Sequence, residues 1–458
     1  MGTTADKLNR LLETKTAIKE AIKGKEVPVS DADSFRSYAE KIMSIPQERR
    51  TPDKKSDVTF YDYDGIVLHS YTKEAFLALA EMPELPTRVG LICQGWNYEL
   101  EDARAYVEEY GVLDVGATYI TDDGKTRLYI TIAAKGRMKV PIYFMQTEAN
   151  GVVVDWGDGS EAQTYNSTTV NATHSYDSIG DYVITLEVVS GQLKFEGTSH
   201  KGIVGGEEFS AYQKMLKKVE IGNGVTDIGE LAFSKCYSLS SVVIPNSVTS
   251  IENGAFANCV LSSVIIPNSV TYISSYAFLN CYSLSLLVIG NSVTRINGNA
   301  FESCYSLASV VIPNSVTSMG NWAFANCYFL SSVVIGSNVK IINGNAFLNC
   351  YSLSLLVIGN SVTRINGNAF ESCYSLASVV IPNSVTSIGS DAFKHCKSVA
   401  LYDFSACESR VGLGTNAFYD IAGDCKIIVP DALYVSWKTA ENWSTYASQI
   451  VKASEYNG

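Results

Sequence analysis

The sequence has little of what several common functions require. Only 18% of its 458 residues are charged, and 47 acidic against 35 basic side chains give a net charge of −12. A nucleic-acid interface needs a basic surface, so we expect no nucleic-acid partner. Apolar runs are too short to span a bilayer, so we expect no membrane insertion. Residues 1–23 lack a basic segment followed by an apolar one, and no secretory signal is expected.

Side chains that carry catalysis are also sparse. The four histidines (His69, His174, His200 and His395) are scattered, and none belongs to a recognisable nucleophile or metal constellation. The chain has no glycine-rich phosphate loop and no evident carboxylate pair in a cleft. We therefore predict no catalytic residue, no cofactor and no metal site. A depolymerase acting on surface glycans is the enzymatic alternative that the sequence leaves open.

What the chain has in abundance is a repeat. An Ala-Phe pair recurs every 23 residues, with one step of 22, and a cysteine follows each phenylalanine by three. The eight pairs begin at Ala232, Ala255, Ala277, Ala300, Ala323, Ala346, Ala369 and Ala392. A fixed period of this length is the signature of stacked repeats. It predicts a solenoid over residues 205–430, closed by a C-terminal cap over residues 431–458.

Each repeat offers a set of apolar side chains for a shared core. In residues 239–259 these are Leu239, Val242, Ile244, Val248, Ile251, Ala255, Phe256 and Cys259. Val242 and Ile244 are two apart and face one side of a short strand, which Pro245 ends because it lacks an N–H. Stacking would align these strands in a parallel sheet, and turns would lead back to the next strand. The column of cysteines is interpreted as reduced core filler, with some disulfides as the alternative.

A second set of strand residues points away from this predicted core and forms an apolar stripe bordered mostly by serine. Strand propensity alone would explain such β-branched side chains, but a continuous exposed stripe can also mark a binding or self-association face. Residues 277–318 and 346–387 are identical, so one part of the stripe occurs twice. The candidate binding face comprises Ser241, Val243, Ser263, Ile265, Leu286, Val288, Ser309, Val311, Ser332, Val334, Leu355, Val357, Ser378 and Val380.

The part before the repeats is predicted to contain three further regions. Residues 1–45 have two helical patterns and are interpreted as an attachment or oligomerisation segment, followed by a polar linker over 46–57. Residues 58–135 are predicted to form a small α/β domain, with a hairpin across Asp122 to Gly124 between strands near 115–120 and 126–132. Trp96 and Tyr98 could form a ligand platform, but a core role is the preferred interpretation.

Residues 136–200 are predicted to form an all-β module. They contain DWGDGS (155–160), HSY (174–176) and GDYVITL (180–186), and these motifs resemble PKD-like domains. The resemblance implies an immunoglobulin-like sandwich that serves as a spacer or adhesion module. Asp155 and Asp158 could ligate Ca²⁺, but two carboxylates are few, and turn-forming hydrogen bonds are the preferred interpretation. The chain is thus predicted to be a mainly β multidomain protein, with N-terminal helices and a small α/β unit.

The repeat pattern L-x-x-V-x-IP-x-x-V-x-x-I-x-x-x-AF-x-x-C resembles the BspA-like leucine-rich repeat family. The end of the chain, residues 427–450, is similar to the C-terminal end of that family. The resemblance implies a leucine-rich repeat solenoid in a surface protein that binds host proteins or other cells.

The N-terminal half has a different resemblance. TKTAIKEAIKGKEVPVSDADSFRSYAEKI (14–42) resembles the N-terminal segment of tail-fibre-type proteins from phages of gut bacteria. YDYDG (61–65), QGWNYELEDA (94–103) and YITDDGKTRLYI (119–130) are similar to the regions that follow that segment in such proteins.

The main hypothesis from the sequence is therefore a non-catalytic receptor-binding protein of a phage tail. It would be made in the host cytoplasm and carried in the virion. Residues 1–45 would contact other virion proteins, and the solenoid would recognise a bacterial surface protein or glycan. Fibres of this kind are commonly trimeric, which leaves a homo-oligomer open. The alternative hypothesis is a BspA-like adhesin on the bacterial cell surface that binds host proteins.

Overall fold

The computed structural model describes residues 57–134, 139–195 and 214–456. The helices predicted in residues 1–45, and the linker up to residue 56, lie outside the described residues. The chain divides into two compact units. The described residues of the first unit lie within 55–302 and 311–323, and those of the second lie within 303–310 and 324–458.

The first unit begins with an α/β module, residues 58–121. Its sheet has the order β2-β1-β4-β3, in which β1 is parallel to β4 and antiparallel to β2. Phe60 lies at the centre of the core and contacts the rings of Phe76 and Trp96. The elements are β1 (Val58–Tyr61), β2 (Val67–Tyr71), α1 (Lys73–Leu77), β3 (Leu91–Trp96), α2 (Leu100–Tyr110) and β4 (Leu113–Thr121).

Seven strands follow before the repeats. They are β5 (Thr126–Ile132), β6 (Lys139–Gln146), β7 (Val152–Asp155), β8 (Gln163–Thr164), β9 (Thr169–Ser175), β10 (Gly180–Val188) and β11 (Leu193–Phe195). The hairpin expected between β4 and β5 does not form. Instead β5 pairs with β10 on one side and with the first repeat strand on the other. Longer-range strand pairing therefore determines where β5 lies, and the local turn sequence does not. The reason is that β5 has buried residues at every second position and so fits into a larger sheet.

Repeats of the first unit extend the two sheets that these strands begin. One sheet has the order β14-β12-β5-β10-β7-β8, and the other has the order β21-β19-β17-β15-β13-β11-β6-β9. The repeat strands pair in parallel at a step of one repeat. The strands are β12 (Leu216–Glu220), β13 (Val225–Ile228), β14 (Ser241–Val243), β15 (Ser250–Ile251), β16 (Ser263–Ile265), β17 (Tyr272–Ile273), β18 (Leu286–Val288), β19 (Arg295–Ile296), β20 (Ser309–Ile312) and β21 (Ser318–Met319).

The second unit continues the same pattern and ends in a cap. Its parallel sheets include β23-β25-β27-β29 and β26-β28-β30-β31. The strands are β22 (Ser332–Ile335), β23 (Ile341–Ile342), β24 (Leu355–Val357), β25 (Arg364–Ile365), β26 (Ser378–Val380), β27 (Ser387–Ile388), β28 (Leu401–Asp403), β29 (Gly412–Leu413), β30 (Lys426–Val429) and β31 (Ile450–Lys452). The cap contains α3 (Tyr434–Thr439) and three short 3₁₀ helices, Asp431–Leu433, Trp443–Tyr446 and Ala453–Glu455. The predicted mainly β fold with a leucine-rich-repeat-like solenoid is confirmed.

The interior of each unit is built from ladders of equivalent side chains. All eight apolar positions expected from residues 239–259 are buried. Phenylalanine rings stack from repeat to repeat, with centroids 5.2 Å apart for Phe233–Phe256 and for Phe256–Phe278. In the second unit Phe347 stacks on Phe324 at 5.6 Å and on Phe370 at 5.3 Å.

Two backbone positions per repeat have positive φ, which the apolar pattern did not indicate. One precedes the Ala-Phe pair, as at Asn299 (φ 59°), and the other precedes the cysteine, as at Asn258 (φ 64°). Asparagine tolerates this left-handed conformation better than most residues. These positions turn the chain from the phenylalanine back toward the next strand, so they give the coil its shape.

The cysteines behave as core residues. None of the eleven forms a disulfide in the described chain, and ten are buried, while Cys93 is half-buried. Thiols donate to the phenylalanine carbonyl of the preceding repeat, as in Cys259 Sγ to Phe233 O at 3.1 Å. Burial raises the pKa of Cys281 to about 12. Because the thiolate is the nucleophile, these ladder thiols are inert while the fold is intact.

This predicts a simple titration result. With an aromatic disulfide reagent at neutral pH, the native protein should react rapidly at Cys93 only, and all eleven thiols should react once the chain is unfolded in guanidinium chloride. A Cys93→Ser variant should lose the rapid phase. Rapid reaction of several thiols in the native state would show that the ladder is more accessible than described.

Candidate functional site

The DWGDGS turn is the first of the candidate sites that the sequence singled out. Gly157 has φ 75°, and a Cβ there would come within 2.3 Å of the Val183 carbonyl oxygen, so only glycine fits. Asp155 Oδ1 accepts from the Gly157 N–H at 2.9 Å, and Asp158 Oδ1 accepts from the Ser160 N–H at 3.0 Å. The turn-forming hydrogen bonds therefore occupy the carboxylates that were weighed as Ca²⁺ ligands. Among the described residues no group of three potential metal ligands comes together.

Asp158 also pairs with His174. The Asp158 Oδ2 and His174 Nε2 atoms are 2.6 Å apart, and the imidazole stacks on Trp156 with centroids 4.8 Å apart. Hydrogen bonds from Ser160, then from His174, lower the pKa of Asp158 to about 2. This pair joins the DWGDGS turn to β9 and has a structural role.

The lowered pKa predicts a dependence of stability on pH. The folded state holds Asp158 ionised down to about pH 2, whereas the unfolded chain protonates it near its ordinary value of 3.8. The stabilisation is present above that ordinary value and is lost as pH falls from 3.8 through 2. Thermal unfolding followed by circular dichroism should show a smaller loss of melting temperature over this range in Asp158→Asn than in the wild type. Equal losses in the two proteins would contradict the assignment.

The sheet face that carries the predicted apolar stripe is covered within the first unit. Here the α/β module lies on the face, because β4 contacts β14, β16 and β18. Gly116 on β4 is so close to Ile265 that a Cβ would come within 2.5 Å of its Cγ2. Val243, Ile265 and Val288 are buried as a result. The expected exposed stripe is therefore covered over this part of its length.

Polar contacts fix the module on this face. The Ser263 hydroxyl donates to the Tyr63 carbonyl at 2.8 Å. From α2, the Tyr106 hydroxyl donates to the Ile312 carbonyl at 3.3 Å.

Two asparagines following the strands also contact α2. Asn291 Nδ2 donates to Asp102 Oδ2 at 3.1 Å. Asn314 accepts from the Tyr110 hydroxyl at 3.0 Å and donates to Glu109 at 3.4 Å. The four side chains of α2 used here lie at i, i+4, i+7 and i+8, so one helix face makes these contacts.

Within the second unit the corresponding face is partly exposed. Val380 has 61% and Leu355 has 48% of its surface exposed, although both are large apolar side chains on regular strands. Ser378 is exposed beside them, Val357 is half-buried and Val334 is buried.

Of the remaining predicted residues, Ser241, Leu286, Ser309, Val311 and Ser332 are half-buried and Ser263 is buried. The exposed part of the stripe is thus confined to β24 and β26.

Residues 277–318 and 346–387 are identical, so the exposure of equivalent residues in the two units can be compared without any difference in sequence. We define patch A in the first unit as Leu286, Val288, Asn291, Val311 and Asn314. Patch B in the second unit consists of the identical residues 69 positions later: Leu355, Val357, Asn360, Val380 and Asn383. Every residue of patch B is in a more exposed class than its counterpart in patch A.

The first unit also contains a cleft of about 790 Å³. Trp96 and Tyr98 contribute to its lining, but both side chains are buried, and Trp96 Nε1 donates to the Pro83 carbonyl. The preferred interpretation of these two rings as core residues agrees with their burial. The other residues that line the cleft are mostly polar and include Glu81, Glu84, Glu99, Gln94, Asn246 and Asn268.

The stacked parallel strands, the two strands per repeat and the phenylalanine ladder define a solenoid of the leucine-rich repeat class. The family model described as "BspA type Leucine rich repeat region" matches residues 203–331 and 294–423, with six copies. The repeat part of this chain is therefore similar to BspA-type leucine-rich repeat regions. Regions of this type are generally binding structures without catalytic activity.

Solved structures similar to this chain carry the same kind of repeat. A leucine rich cell surface protein from Faecalibacterium prausnitzii is 33% identical, with a TM-score of 0.32, over 43% of this chain and 62% of that protein. A leucine-rich repeat protein from Bacteroides ovatus is 24% identical, with a TM-score of 0.26, over 57% and 82% of the respective chains. The Treponema pallidum leucine rich repeat protein is 29% identical, with a TM-score of 0.25, over 34% and 62%.

The present chain thus spans less than two thirds of the F. prausnitzii protein that it matches. The search of curated proteins returned no match. Across the ranges that the structure describes, no helix is both long and apolar enough to cross a membrane.

Proposed function

We propose that this chain is a cell-surface adhesin that binds a partner through patch B. The observation that carries the proposal is the exposure of Val380 and Leu355 on an otherwise regular sheet. Exposed apolar side chains on a rigid sheet can be buried by a partner without reordering the backbone, which lowers the entropic cost of binding. The similarity to BspA-type repeats supports the cell surface over the virion.

Location can be tested without knowing the partner. In the producing bacterium, an antibody against the purified chain should label intact cells, and brief protease treatment of intact cells should remove the label. Detection of the chain in purified phage particles, with no label on cells, would overturn the adhesin proposal and restore the tail-fibre hypothesis.

Binding through patch B can be tested with fluorescently labelled full-length protein on host epithelial cells and on other bacteria. Val380→Glu should abolish binding, because it places a charge in the centre of the apolar surface. The matched control is Val435→Glu, at a residue that is 72% exposed but lies on α3. Equal binding by the two variants would mean that patch B is not the site.

A further inference from the structure

Patch A and patch B are the same sequence in two environments, and this comparison shows what patch B can accept. In patch A the two asparagine carboxamides contact carboxylates and a tyrosine hydroxyl of α2. In patch B the equivalent residues, Asn360 and Asn383, are exposed. The donors and acceptors that contact α2 in patch A therefore face solvent in patch B.

The covering helix defines the chemistry of a complementary ligand. Asp102, Tyr106, Glu109 and Tyr110 supply two carboxylates and two phenols from one helix face. Tyr106 is buried, and the ring of Tyr110 packs against it at a tilt with centroids 4.4 Å apart, so the tyrosines provide apolar area as well as hydroxyls. A carboxylate matches the asparagine N–H donors, and a tyrosine hydroxyl matches the strand-end carbonyl, which in patch B is that of Ile381.

We propose that patch B binds a helix of another protein that presents tyrosines and carboxylates at the spacing of α2. This inference rests on the proposed function, since it names the ligand chemistry of the same surface. A second copy of the chain is a poor occupant because its own α2 already lies on patch A. A glycan would use the asparagines but would leave the apolar surface of Leu355 and Val380 without a match.

The test uses full-length protein and a fluorescent peptide copying residues 99–111, held helical by a lactam between position 101 and a lysine at position 105. The lactam is needed because a free helix of this length is marginal in water. Fluorescence anisotropy should show saturable binding of this peptide. A peptide with both tyrosines replaced by alanine should bind about ten-fold more weakly or not at all.

The duplication supplies a matched pair of protein variants. Asn383→Asp in patch B should weaken peptide binding about ten-fold, because it sets a carboxylate against the peptide carboxylates. Asn314→Asp makes the identical change in patch A, and it should leave peptide binding unchanged or add a second site by loosening the module. Circular dichroism of both variants checks that the fold is retained.

Several outcomes would overturn the inference. These are no saturable peptide binding, equal binding by wild type and Asn383→Asp, or loss of binding in Asn314→Asp alone. Self-association that Val380→Glu removes would assign patch B to a second copy instead. If the peptide fails while Val380→Glu still abolishes cell binding, the proposed adhesin function stands and only the helical ligand is rejected.

Discussion

Replacing Phe347 with alanine is expected to destabilise the second unit by about 3–5 kcal/mol. The side chain is fully buried and stacks on Phe324 and on Phe370, so its removal leaves a cavity that touches two neighbouring repeats. Stability in stacked repeats depends on intrinsic and nearest-neighbour terms, so a defect at an internal repeat weakens two interfaces together. Urea unfolding of this variant, followed by circular dichroism, should show a first transition at a clearly lower urea concentration than in the wild type.

The control lies in the next repeat. Leu355→Ala removes a similar amount of apolar side chain from a position that is 48% exposed, so it should shift the transition far less. If both variants unfold at the same denaturant concentration, the phenylalanine ladder is not a main contributor to stability. The comparison also separates stability from binding, since only Leu355 belongs to patch B.

Replacing Trp443 with alanine should have an effect of similar size, about 3–5 kcal/mol. Trp443 is fully buried in the cap, and its ring contacts Phe404, Phe418 and Trp437. Its Nε1 donates to the Val411 carbonyl at 2.8 Å. Without this ring the last coil loses its cover, and repeat arrays require capped ends to stay soluble.

Two further variants separate the contributions of Trp443. Trp443→Phe keeps most of the ring but leaves the Val411 carbonyl without its donor, so an intermediate loss of about 1–3 kcal/mol is expected. Val435→Ala, at an exposed position of α3, should leave the midpoint unchanged. Thermal unfolding and a light-scattering assay for aggregation provide the measurements. A stable, soluble Trp443→Ala protein would show that the cap is dispensable.

The fold could be predicted from the sequence because every repeat carries the same short apolar pattern. Eight apolar positions recur with each period, and burial of all of them follows from one stacking rule. The positive-φ positions were missed because the apolar pattern does not include them. The asparagine before the cysteine, as in Asn258 and Asn280, was the available signal, since this residue type favours that conformation.

The environment of the candidate site could not be predicted in the same way. Strand alternation correctly separates Val242 from Val243, yet both are buried, because the α/β module covers the second of them. The α/β module contacts repeat strands some 150 to 200 residues further along the chain, and such a contact produces no periodic pattern in a single sequence. Gly116 carried the only local hint, as a glycine within a strand can mark a close approach of another surface.

The repeat-to-repeat hydrogen bonds determine how the second unit would respond to mechanical tension. In the second unit the Phe347 N–H donates to the Ala369 carbonyl, and the Asn349 N–H donates to the Glu371 carbonyl, so these bonds run from coil to coil. Tension that separates neighbouring coils loads the bonds of one interface at a time. A freed coil of 23 residues can extend to about 80 Å. The solenoid would therefore lengthen in steps, and under the proposed adhesin function this would limit the peak force on the contact at patch B.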